Sequence, residues 1–157
     1  MTEPPSQLSL LTLASTPESV AGARRHTAQV LHCWQARVEL SDAARLVVSE
    51  LATNAVRSRT PDGFTLSLAL ADGTLLVQVG DRDPNPPRPR AAGPDATGGR
   101  GLQLVDALSA GWGYYPTAPA GKVVWARLPA GGRALPPLPI SPPAAAPAAP
   151  STALPAA

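Results

Sequence analysis

Residues 64–81, FTLSLALADGTLLVQVGD, narrow the possible folds more than any other stretch. Apolar and polar residues alternate on both sides of ADGT, a turn sequence, so two strands are expected to form an antiparallel hairpin. The neighbouring segments have other periods. LSLLTLA (8–14) alternates weakly and reads as a strand. Thr16-Pro17-Glu18 is a helix start: a capping hydroxyl, a proline in the first turn, then an acid. That helix is expected to run to about Gln35 and to bury Val20, Ala23, Thr27, Val30, Leu31 and Trp34. A second helix is expected from Leu40-Ser41-Asp42, with Ala44, Val47, Val48, Leu51 and Ala55 as its apolar stripe.

After Asp81 the texture changes. Residues 82–100 hold five prolines and three glycines without apolar periodicity. A loop of that length in a small domain is a lid or a disordered segment. GRGLQLVDALSA then resumes as a helix, and WGYYP and KVVWARL close the domain as two strands around a glycine-containing turn. The order β-α-α-β-β-loop-α-β-β predicts an α+β two-layer sandwich, with a mixed, mostly antiparallel sheet and helices on one face. From Pro129 onward the chain is mostly Ala and Pro, with no acidic or aromatic residue. The expected organisation is a flexible start at 1–7, a domain at 8–129 and a disordered tail at 130–157.

Bulk properties exclude several function classes. A net charge of +2 over 157 residues is too mild to argue for a nucleic-acid groove. One cysteine, Cys33, rules out an internal disulfide framework and a cysteine-based zinc site, and is expected as a small buried residue. His26 and His32 fall in the first helix and are expected to be ordinary. The apolar start is too short to span a bilayer and lacks a basic leader. No direct nucleic acid, no membrane and a cytoplasmic setting are expected.

Three constellations carry chemistry. Glu50 and Asn54, in SELATNAV, lie one turn apart on one helix face, with Arg57 along the same flank. An amide oxygen suits Mg²⁺, and a carboxylate one turn away can take a proton from a hydroxyl. Asp81 ends a strand that points into the long loop; its carboxylate, acceptor-only, can bind an exocyclic amine. TGGRGL (97–102) places three glycines just before a helix, where backbone amides can approach phosphate. Each alone also has an ordinary reading: a polar helix edge, a turn-opening Asp, a flexible hinge.

In this order the three resemble the GHKL, or Bergerat, ATPase fold. LVVSELATNAVRS, GGRGLQLVDAL, WGYYP and GKVVWARL look like the short bacterial anti-sigma-factor serine/threonine kinases within it. The resemblance implies ATP and Mg²⁺ as cofactors. It implies that Asn54 binds the metal bridging the phosphates, that Glu50 is the general base and that Asp81 accepts from the adenine amine. Gly99, Arg100, Gly101 and Leu102 would line the phosphates, under a lid at residues 84–98. The implied substrate is an anti-sigma-factor antagonist, with a sigma factor as a further partner and a homodimer as the usual assembly. The alternative is a non-catalytic binding module with weak or lost nucleotide binding. Two departures bear on this choice. The family's Asp is commonly followed by glycines, whereas here Asp83 and Asn85 follow Asp81. The last strand reads Lys122-Val123-Val124 where the family often has a threonine that helps hold adenine. Both departures lower the expected affinity for ATP.

Overall fold

The computed structural model of the chain describes residues 6–87 and 101–131. It contains β1 (Gln7–Leu13), α1 (Pro17–Cys33), α2 (Val38–Arg57), β2 (Phe64–Ala71), β3 (Thr74–Asp81), α3 (Gly101–Leu108), β4 (Gly111–Pro116) and β5 (Lys122–Pro129). The hairpin forms as its alternation requires. Asp72 and Gly73 take φ of 52° and 71°, so both central turn residues are left-handed, which matches the twist of the strands they join. Leu68 then faces Val77, and Leu66 faces Val79.

The strands lie in the order β1-β2-β3-β5-β4. Every pairing among the described residues is antiparallel, so the expected mixed sheet is met only in its antiparallel part. β5 inserts between β3 and β4, so the last strand of the domain is internal and β4 forms the edge. One core joins the sheet to the helices. From the sheet come Phe64, Leu66, Leu68, Leu75, Val77, Val79, Val124, Ala126 and Leu128; from α2 come Leu40, Ala44, Val47, Val48, Leu51, Ala52 and Ala55. The architecture is an α+β sandwich.

The helices bury the stripes their periodicity predicts. Ala23, Thr27 and Leu31 of α1 are buried, while Val20, Val30 and Trp34 pack at the margin. Burying a valine- or leucine-sized side chain contributes roughly 1.5–3 kcal/mol, so Leu40, Val47, Val48 and Leu51, with three buried alanines, hold α2 firmly in the core. Two local expectations change. Thr16 makes no side-chain bond to the helix backbone; its hydroxyl meets Ser19 Oγ at 3.1 Å instead, so Pro17 at the first turn marks the start. α2 begins at Val38, ahead of Leu40-Ser41-Asp42, because the whole turn ahead of Ser41 is helical and its N–H bonds to Arg37 O at 3.0 Å. Cys33, expected to be buried, is exposed, since it ends α1 on the side away from the core. His26 bonds Ser9 Oγ at 2.9 Å and ties α1 to β1. The Ala/Pro-rich run at 132–157 and most of the expected lid lie outside the described residues.

Candidate functional site

β3 and β5 bring the functional positions together. On β3 the inward-facing residues are Leu75, Val77, Val79 and Asp81; on β5 they are Leu128, Ala126, Val124 and Lys122. Register pairs them rung by rung, and the last rung is Asp81 against Lys122. Gly121 makes that rung possible. Its φ is +142°, and a Cβ there would stand 2.4 Å from the Asp81 carbonyl oxygen, so only glycine lets the strands close at this point.

Lys122 Nζ donates to Asp81 Oδ1 and Oδ2, both at 3.1 Å, and to the Asp83 carbonyl oxygen at 3.3 Å. Asp83 Oδ2 stands 3.7 Å from the same ammonium. Asp81 Oδ1 also accepts the Asp83 N–H at 2.9 Å. The pair is sealed: the side chains of Lys122 and Asp81 are 4% and 3% exposed. Burial pushes the Asp81 carboxyl above its ordinary value, and the ammonium against it pulls it back. Burial pushes Asp83 up, but the Asn85 N–H, the Lys122 charge, the Asn85 amide and the Ser58 hydroxyl together outweigh this and leave it lowered.

Above the pair opens a cleft of about 400 Å³, lined by Asn54 and Arg57 of α2, by Ser58 and Thr60 just after it, by residues 82–87, and by Lys122. Arg57, Arg82 and Lys122 bring cationic groups to this wall; Arg82 also meets Asp62 at 3.3 Å at the surface, and the Lys122 charge is taken up by Asp81 and Asp83. Pocket volumes of roughly 300–1,000 Å³ hold small ligands and cofactors. Asn54 is in this wall; Glu50, one turn earlier on α2 and half-buried, is outside it. Asp81 is also outside it, because the Lys122 side chain lies between the carboxylate and the cleft.

The other expected positions separate. Gly101 is the first residue of α3. Leu102 is 2% exposed and packs in the core, so only its backbone is available there. Gly99 and Arg100 lie outside the described residues. Among the described residues no group of three His, Cys, Asp or Glu side chains could hold a metal ion. A Mg²⁺ here would take Asn54 from the protein and its remaining ligands from phosphates and water.

The cleft therefore fits one end of ATP and not the other. Asn54 and the cationic wall fit the triphosphate with its metal. The adenine contact does not fit as the residues stand, since the Asp81 carboxylate is ion-paired with Lys122 and only 3% exposed. Sequence reasoning noticed Lys122 only as a missing threonine. The available signal was parity: in KVVWARL, Lys122 shares a face with Val124, Ala126 and Leu128, so an inward lysine needed a buried partner.

The family model of the histidine kinase-like ATPase domain matches residues 13–128. No curated protein matches the chain. A solved structure with a similar fold is the crystal structure of the RsbU and RsbW domains of Rv1364c from Mycobacterium tuberculosis. The TM-score is 0.62 at 20% identity, over 78% of this chain and 32% of that one. This chain thus spans about a third of that one. The likeness to it is one of fold. No helix among the described residues is long and apolar enough to cross a membrane. With the site on α2, β3 and β5 inside the matched span, the chain belongs to the histidine kinase-like ATPase domain family.

Proposed function

We propose that the chain is an ATP-binding regulatory protein of the anti-sigma kinase type. It phosphorylates a serine or threonine of a partner protein, an anti-sigma-factor antagonist, in a partner-switching circuit that releases or sequesters a sigma factor. The observation that carries this reading is the convergence of Asn54, Arg57 and Arg82 on one cleft at the ends of α2 and β3. ATP with Mg²⁺ bound there supplies the phosphoryl group and neutralises the charge that develops on it. The protein's own part is positioning. Asn54 Oδ1 would offer a metal ligand, and Arg57 and Arg82 would hold phosphate oxygens. Glu50, one turn from Asn54, takes the proton from the partner's hydroxyl. The RsbW domain in the similar solved structure supports the partner-switching context.

The test is Glu50→Ala, with purified protein, Mg-ATP and the candidate antagonist. Phosphorylation should fall by about 10²–10⁴-fold, the usual contribution of a positioned base, while ATP binding by calorimetry stays unchanged. Full transfer by Glu50→Ala would remove Glu50 from this role. Asn54→Ala should lose the magnesium dependence of binding.

A second reading is favoured by one observation, the Lys122–Asp81 pair. It is a module that holds its partner without transferring phosphate. Stable complex formation with the antagonist or sigma factor, with no phosphate incorporated at saturating ATP, would establish it.

A further inference from the structure

We propose that Lys122 occupies the base-recognition position of the site, so that the cleft reads the phosphates of a nucleoside triphosphate and not its base. The proposal rests on the nucleotide reading above and concerns what that site can distinguish.

Lys122 spends its donors on Asp81 and the turn beside it, and covers the carboxylate. A lysine ammonium has three donors and no acceptor. The three acceptors around Lys122 Nζ are Asp81 Oδ1, Asp81 Oδ2 and Asp83 O, at 3.1, 3.1 and 3.3 Å. Asp81 Oδ1 carries a second bond from the Asp83 N–H. An incoming adenine amine finds one lone pair left on Oδ2, on a side chain only 3% exposed and covered by Lys122. It would have to displace the ammonium and leave that charge in a site from which water is excluded, which is the costly way to break a buried pair. A neutral amine does not replace a cation there on equal terms, because hydrogen bonds between charged groups are roughly twice as strong.

Backbone geometry keeps Lys122 in place. Gly121 lets β5 close onto the end of β3, and register sets Lys122 opposite Asp81. The first turn of the loop adds to it, since the Asp83 carbonyl and carboxylate both face Nζ. What remains open to a ligand is the wall of Asn54, Arg57, Ser58 and Arg82, which has charge and hydrogen-bond donors but no buried acceptor pair for a base.

Calorimetry with ATP, GTP and inorganic tripolyphosphate, each with Mg²⁺, tests this on the wild-type chain. The expected result is three affinities within about threefold of one another, since most of the binding is electrostatic. Lys122→Thr, checked for folding by circular dichroism, frees Asp81 beside a small hydroxyl. ATP should then bind about tenfold tighter or more, the size of a hydrogen bond to a charged group, with GTP and tripolyphosphate little changed. Asp81→Asn added to Lys122→Thr should cancel that gain. If Lys122→Thr does not fold, the wild-type comparison decides the matter alone. A wild-type preference for ATP of about tenfold or more would overturn the proposal and leave the nucleotide site standing. A folded Lys122→Thr that gains nothing, or gains equally for all three ligands, would also overturn it. Failure of all three to bind either protein would overturn the nucleotide reading and this proposal together.

Discussion

Two parts of the same strand pair behave in opposite ways. Along most of β3 and β5 the inward rungs are apolar: Leu75 with Leu128, Val77 with Ala126, Val79 with Val124. All six residues are buried. The last rung, two residues further along β3 and two residues earlier on β5, is Asp81 with Lys122, and it is nearly as well buried. The apolar rungs need only area and shape, and each contributes independently by leaving water. The ionic rung needs its partner, its geometry and its extra hydrogen bonds, because two desolvated charges cost several kcal/mol each before they attract. The apolar rungs explain why the sheet forms. The ionic rung explains nothing about the sheet and stands at the mouth of the cleft.

That contrast predicts different mutational behaviour. The largest effect is expected at the ionic rung. Asp81→Ala leaves an ammonium without its carboxylate and should cost about 3–5 kcal/mol in chemical denaturation. Replacing both partners, as Asp81→Leu with Lys122→Met, should return most of that loss, since apolar substitutes for a buried pair are often neutral. Equal losses in the single and double variants would show that the two residues do not act as a pair. Next comes Leu128→Ala, expected to cost roughly 2–5 kcal/mol by leaving a cavity, with no change in tripolyphosphate affinity. A change in that affinity would mean that the apolar rungs and the site are coupled.

Smaller effects sharpen the boundary between rung and loop. The Asp83 carboxyl is lowered in the folded protein, so its contribution is complete above the unfolded value and is lost as pH falls through the folded one. Acidification below the ordinary carboxylate range should therefore loosen the turn at 83–85. The Asn85 amide resonance reports it, and Asp83→Asn should abolish the pH response while costing under about 1 kcal/mol at neutral pH. The smallest effect is expected at Leu10 on β1, which is 69% exposed. Leu10→Thr should stay within about 0.5 kcal/mol of wild type. A larger loss would mean that the exposed face of β1 is covered in solution.

Much of this fold is legible in the sequence where the determining interactions are local. The hairpin follows from two alternating runs around Asp72-Gly73. The buried stripes of α1 and α2 follow from residues three and four apart. The start of α2 was misplaced because Val38-Glu39-Leu40 carries no cap residue, and its helical state comes from docking Leu40 into the core. The site was legible in part. Asn54 and Asp81 could be singled out by residue type and spacing, and the structure brings both to the ends of α2 and β3. The pairing of Asp81 with Lys122 was not legible, because 41 residues separate them and nothing local fixes their register.

The sequence by itself determined the elements, the order in which they occur and the faces they bury, because periodicity and turn chemistry act over a few residues. It also supplied an inward lysine and an inward aspartate by strand parity alone. Only the tertiary structure decided that β5 inserts beside β3, and that Gly121 closes the two strands tightly enough to seat Lys122 on Asp81. Register between distant strands is set by the whole core at once. A charge buried by that register takes whichever partner the fold places opposite it.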